Sequence, residues 1–330
     1  MVIIIKVKGK INKEKKLVMD RRNFLRAIAL TGAAATIKAS GNIDILSEKF
    51  ISSESAAAVD MVAVMGGEPE VMFRRAMTEM GGMGKFIKKG WKVVVKPNIG
   101  WDKTPEQSGN TNPKLVAEVI RQCLSAGAKE VVVFDHTCDD WIKCYKNSGI
   151  EAAAKAAGAK VLPAHEESYY REVALPLGKK LKSAKIHQAV IDCDAWINLP
   201  VLKHHGGANL TISMKNYMGI VWDRRIFHST DLQQCIADVC TYSKKPVLNI
   251  VDAYRIVKTN GPQGRSTADV ANPKGLFISQ DIVAVDTAAA KFFGQVRTMP
   301  LDHVGHIAGG QAHKLGTMDI DNLNIKRIKI

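Results

Sequence analysis

Six cysteines are scattered through this chain, and no two of them form a CxxC pair. That excludes zinc-ribbon and ferredoxin-type cluster frameworks, and it makes an iron–sulfur cluster of the chain's own an unsupported expectation. No run of eighteen apolar residues occurs, so no stable membrane span is expected in the body of the protein. No GxGxxG follows a strand-like run, and the glycine-rich turn Gly261-Pro262-Gln263-Gly264-Arg265 lacks the lysine of a phosphate-binding loop. Aromatic residues make up only 6% of the chain, and none alternate with Lys/Arg in a pattern that would stack bases. Nucleic acid is therefore not an expected partner.

Hydrophobic residues account for 46% and charged residues for 24%, the balance of a globular chain with a sizeable core. Of the net charge of +15, residues 1–58 carry +6, which leaves +9 on the remainder. A basic body suits anionic ligands. The N-terminal part also has a pattern of its own. Arg21-Arg22-Asn23-Phe24-Leu25, followed by a short apolar stretch to Ile37, resembles a twin-arginine export signal, with Arg21, Arg22, Phe24 and Leu25 as its signature. Ser55-Ala56-Ala57-Ala58 supplies a small-residue cleavage pattern, and Met19 is an alternative start to Met1. The resemblance implies passage through the twin-arginine translocation machinery to a periplasmic or extracytoplasmic location. That route carries folded proteins, often with a cofactor already inserted. The competing reading is a basic amphipathic helix on a cytosolic protein.

From Val59 on, apolar strand-like runs alternate with helix-like segments. WKVVVK (91–96), EVVVF (130–134), AWINL (195–199), PVLNIV (246–251) and GLFIS (275–279) are continuous apolar runs, as in strands buried on both faces. Asn112-Pro113 opens a helix with Leu115, Val116, Val119, Ile120 and Cys123 on one face, and Gly127 closes it. The pattern predicts an α/β fold with a mostly parallel sheet covered by helices on both faces. Residues 59–330 form one domain, preceded by a flexible export segment over 1–58.

In such sheets ligands bind beyond the carboxyl ends of the strands. The five runs exit into Lys96-Pro97-Asn98, Asp135-His136-Thr137, Pro200 with Lys203-His204-His205, Asp252 with Arg255, and Gln280-Asp281. All five are expected to deliver polar groups to one edge. Lys96, Lys203, Lys215 and Arg224 form a candidate clamp for a small anionic molecule, with Asn98 and Asn216 beside them. His204 and His205 are adjacent, so on an extended segment only one faces the pocket, as a proton-transfer group or a metal ligand. Asp252 or Asp135 would orient it. Asp281 and Asp286 read as caps of the helix that follows. Cys138 and Cys144, with His136, Asp139 and Asp140, leave three states open: a metal site, a disulfide or an exposed loop.

VVVKPNIG, NTNPKLVAEVI with AGAKEVVVFD, DAWINLPVLKHH with LTISMKNYMGIV, VDAYRI and ISQDIVAVDTAAAKFFG occur in this order. With these five segments the chain resembles the domain of unknown function 362 family over nearly all of residues 59–330. The resemblance implies an α/β fold and, through relatives that carry an iron–sulfur module, a link with redox functions and a redox partner protein. This chain lacks that cysteine run. The family's Lys-x-His appears as Lys203-His204-His205, which favours His205 as the inward residue. The combined expectation is an exported enzyme, assisted by a metal or cofactor, that acts on a small anionic molecule through His205, Lys203 and Asp252. The alternative is a non-catalytic carrier using the same pocket.

Overall fold

The structure, a computed structural model, describes residues 58–330 and, before them, the two strands Ile3–Lys8 and Glu14–Met19, which pair antiparallel. The twin-arginine motif at Arg21–Leu25 lies outside the described residues. Residues Ala57–Ile330 form one compact unit.

Its centre is an eight-stranded sheet: β1 (Met61–Met65), β2 (Lys92–Pro97), β3 (Glu130–Val133), β4 (Lys160–Val161), β5 (Ala195–Leu199), β6 (Leu248–Ala253), β7 (Gly275–Ser279) and β8 (Ile325–Lys329). The spatial order is β8-β1-β7-β6-β5-β2-β3-β4. Every neighbouring pair is parallel except those made by β7, which runs antiparallel to both β6 and β1. The fold is thus α/β with a mostly parallel sheet.

The apolar runs serve two cores because successive side chains of a strand point to opposite faces. Val93 and Val95 of β2 join one cluster and Val94 the other, all fully buried. Burying each such side chain contributes on the order of 1.5–3 kcal/mol. Two long helices cover the first face: α1 (Pro69–Glu79) and α2 (Pro113–Ser125). Asn112 caps α2 by accepting from the Lys114 amide, and the chain turns away through Gly127 at φ +95°. Three helices cover the second face: α3 (Leu232–Val239), α4 (Ile282–Phe293) and α5 (Gly305–Ala312). No helix among the described residues is long and apolar enough to cross a membrane.

The antiparallel β7 corrects one expectation. Ser279 pairs with Asn249 at the start of β6, so Gln280 and Asp281 leave at the opposite edge from Lys96 and Asp135. Four strand exits share the site's edge. The fifth instead feeds α4, where the Asp281 carboxylate accepts from the Val283 and Ala284 amides.

Candidate functional site

Beyond the carboxyl ends of β2, β3 and β5 the chain builds a polar floor. Lys96, the last side chain of β2 before Pro97, is fully buried. Its ammonium contacts Asp135 Oδ1 at 2.8 Å, the Asn216 carbonyl at 2.7 Å and Asn216 Oδ1 at 2.8 Å, which engages all three protons. Asp135 Oδ2 accepts from the Ile99 amide at 2.6 Å. Burial pulls Lys96 below the ordinary lysine value, and the Asp135 charge acts against that pull. Gly219 covers this pair. A Cβ there would lie 1.8 Å from Asp135 Oδ1 and 2.3 Å from Lys96 Nζ, so no larger residue fits without displacing the ion pair.

The network continues through amides. Asn216 Nδ2 donates to Asn198 Oδ1 at 2.8 Å, while Asn98 Nδ2 donates to Asn216 Oδ1 at 3.3 Å. Lys203, from the hairpin Lys203–His205/Asn209–Thr211, donates to Asn98 Oδ1 at 3.0 Å and to the Gly109 carbonyl. One of its three protons is left over. Asn216 and Lys215 lie on the short helix Ser213–Asn216, whose first amides, Ser213 and Met214, both donate to the Asp286 carboxylate at 2.8 Å. Asp286 therefore holds the site helix rather than capping its own.

Above this floor lies a recess of about 50 Å³, lined by Asn98, Asp135, Lys203, His205, Lys215 and Arg224, among others. It opens into a cleft of about 930 Å³ that shares His205, Lys215 and Arg224 with it. Among the described residues Lys215 has no hydrogen-bond or ion-pair partner, although it lines both spaces. Burial, opposed by Cys138 and assisted by Arg224 and Lys96, lowers its ammonium to about 8. Burial likewise lowers Lys203 to about 7, with Lys215 and Lys96 adding to the effect. The Arg224 guanidinium donates to the carbonyls of His136 at 2.8 Å and Thr137 at 2.6 Å, which ties it to the loop after β3. Asp135, the one acid lining the recess, is already paired with Lys96. Lys203, Lys215 and Arg224 thus face a space without a free counter-charge.

Lys203 and His205 both line the recess, whereas His204 does not, as alternation along the hairpin requires. His205 Nδ1 accepts from the Gly207 amide at 3.1 Å and the Ala208 amide at 3.0 Å. These bonds place the ring proton on Nε2. Burial, with Lys215 and Lys203 nearby, holds the imidazole neutral by lowering its pKa to about 2. His205 is therefore a hydrogen-bond donor toward the recess rather than a metal ligand or a base. His204 Nδ1 accepts from the Gly261 amide at 3.1 Å. The expected His204/His205 metal site has no support in this geometry, and no group of three or more His, Cys, Asp or Glu among the described residues could hold an ion. A recess lined by three cations also disfavours a further one.

Asp252 requires a second correction. Its carboxylate accepts from the Asn112 amide at 2.7 Å and the Tyr254 amide at 3.0 Å, and it lines neither space. Both oxygens join the loop ahead of α2 to the end of β6, so Asp252 does not orient His205. Lys96, too, stands behind the floor rather than in the clamp. The site also takes in His136 and Cys138, noted in the sequence only as a strand exit and a candidate loop, and three aromatic residues that were passed over. His136 Nδ1 donates to the Val221 carbonyl at 2.8 Å, and its ring stacks on Trp222 with centroids 5.0 Å apart. Cys138 is an exposed free thiol 3.4 Å from Arg224 Nη1, and Cys144 is free and buried, so no disulfide joins them. Trp101, Trp222 and Phe227 line the wider cleft. Their only sequence signal was proximity to the strand exit at Asp135 and to Arg224.

Three comparisons place the chain among known proteins. It is 24% identical over 220 residues to the thylakoid-associated protein sll1697 of Synechocystis, covering 64% of this chain and 66% of that protein. The lactate racemase apoprotein of Thermoanaerobacterium thermosaccharolyticum superposes with a TM-score of 0.45 at 13% identity, over 71% of this chain and 57% of that one. The chain thus spans somewhat less than two thirds of the length of either protein. The profile described as domain of unknown function (DUF362) matches residues 93–291, from β2 through the recess to α4, and the chain belongs to that family.

Proposed function

We propose that the recess binds a small anionic molecule and that Lys203 transfers a proton to or from it in an enzymatic reaction. The observation that carries this reading is the unpartnered Lys215 ammonium beside Lys203 and Arg224, in a recess whose one acid is already neutralised. Lys215 is half-buried and lines the recess without a partner, which leaves its ammonium available to an anionic ligand. Lys203, lowered to about 7, exchanges its proton near neutral pH and is held by Asn98 within the recess. His205 Nε2–H would donate to the anion or to charge developing on it. A metal-assisted version does not fit the donor set, so no step passes through a metal.

Isothermal titration of the full chain with inorganic phosphate at pH 6.5 tests the binding half. We expect saturable binding, weakened about tenfold or more in Lys215→Met, since a hydrogen bond to a charged group contributes about 1.5–3 kcal/mol. Equal affinity in wild type and variant would reject the assignment of Lys215. The carrier alternative has its own support, because His205, the expected base, is fixed as a donor. Native mass spectrometry of protein isolated from its own host separates the two. A bound anion that the protein converts supports the enzyme, a conversion that Lys203→Arg should abolish while leaving binding intact. A bound anion recovered unchanged supports the carrier. The reading includes export through the twin-arginine route, carried by Arg21, Arg22, Phe24 and Leu25.

A further inference from the structure

The wide cleft, at about 930 Å³, far exceeds what a lone inorganic anion needs, whereas the recess at its base, about 50 Å³, is the size of one anionic head. Cavities of ~300–1,000 Å³ suit whole cofactor- or drug-sized molecules. The two compartments also differ in chemistry. Lys203, Asn98 and Asp135 line the recess alone, Trp222, Phe227 and Val221 line the cleft alone, and Lys215, Arg224, His205 and Met218 line both. Trp101 lines both, at the junction between them. One neighbour of the Trp222 ring is His136, stacked within 3° of parallel, which fixes the indole plane at the cleft wall. A ring held in that way loses little freedom when a second ring packs on it.

The charge count narrows the head group. Lys96 and Asp135 cancel, which leaves three cationic side chains lining the recess. A carboxylate brings one charge and two oxygens. A phosphate monoester brings close to two charges and three terminal oxygens, and so answers the two ammonium groups and the charge of the Arg224 guanidinium. On the anion-binding reading above, we infer that the ligand is a phosphate monoester of a planar aromatic molecule, with its phosphate in the recess and its ring against Trp222 or Trp101. Glu167, Glu172, Asp223, Lys185 and Arg225 also line the cleft, which suits polar substituents on that ring system.

Three probes separate this inference from the reading on which it rests: 1-naphthyl phosphate, cyclohexyl phosphate and inorganic phosphate, titrated calorimetrically into the full chain. We expect 1-naphthyl phosphate to bind about tenfold or more tighter than either of the others, because stacking on an indole contributes on that order. In Trp222→Leu or Trp101→Leu, each checked for an unchanged circular dichroism spectrum, the aromatic advantage should shrink at least about threefold. Inorganic phosphate should bind those variants as it binds wild type. Lys215→Met should weaken all three probes alike. If all three bind equally, or if the aromatic advantage survives both tryptophan variants, the aromatic ligand class is overturned and the anion site stands. If none of the three binds, both readings fail together.

Discussion

Lys203 and Lys215 are the residues at which pH should act. Burial lowers them to about 7 and about 8, so the free protein sheds both charges across a range where sulfate stays fully ionised. A bound anion favours the protonated ammonium groups. The sign follows from that difference: above about pH 7 the complex holds protons that the free protein has released, so affinity falls as pH rises. Sulfate affinity should be flat below pH 6.5 and drop up to about tenfold per unit for each group beyond its pKa. In Lys215→Met the part of the decline centred near pH 8 should vanish. A sulfate affinity that stays constant from pH 6 to 9 would contradict the placement of these ammonium groups at the anion. Gly219 offers a test of the floor, since its missing Cβ is the space occupied by the Lys96–Asp135 pair. Gly219→Ala should destabilise the fold by about 3–5 kcal/mol, the usual cost of breaking a buried ion pair, measured by urea denaturation. A change under about 1 kcal/mol would mean that the floor yields easily.

Among the elements, the short helix Ser213–Asn216 depends on a carboxylate from α4, a dependence with no local signature in the residues of either helix. Asp286 lies 73 residues from Ser213 and accepts both leading amides of that helix. Its position in ISQDIVAVDTAAAKFF suggested a cap for its own helix, a role that Asp281 already fills. Strand identity was legible in the apolar runs because parallel strands covered on both faces need no polar alternation. Strand direction was not, since GLFIS has the same burial pattern whichever way it runs. That ambiguity placed Gln280 and Asp281 at the wrong edge. Asp286 also gives the helix a pH signature. Burial raises its carboxyl to about 7, outweighing the amide bonds that favour the charged form. Between about pH 4 and 7 the folded chain keeps a proton that the unfolded chain has lost, so this group's contribution to stability falls as pH rises. Asp252, raised to about 6 by burial, adds a smaller term of the same sign. Asp286→Asn should therefore lower Tm at pH 5 through the loss of one amide contact, yet flatten the fall in Tm from pH 4 to 8. A parallel shift of the whole Tm profile would count against the titration of Asp286.

For the molecule as a whole, the convergence of β2, β3, β5 and β6 on one edge was readable because chain order and strand exits were enough to place it. The division of labour within the site was not. Four lysines and arginines look equivalent in sequence, and only contacts such as Lys96 with Asn216, 120 residues away, separate the pinned Lys96 from the free Lys215. The export pattern is of another kind, because it is read from local composition and needs no tertiary contact. Every site residue lies within Ala57–Ile330, while Arg21 and Arg22 precede that unit in the sequence. Replacing both arginines should thus alter location without altering the recess. We expect Arg21→Lys combined with Arg22→Lys to retain an uncleaved precursor in the cytoplasmic fraction, because the twin-arginine route reads the guanidinium pair and lysine lacks its planar fork. The retained precursor should still bind inorganic phosphate with wild-type affinity when purified. Recovery of processed protein outside the cytoplasm at wild-type yield would remove the export reading, whereas a retained precursor without phosphate binding would show that the arginine pair and the recess are coupled.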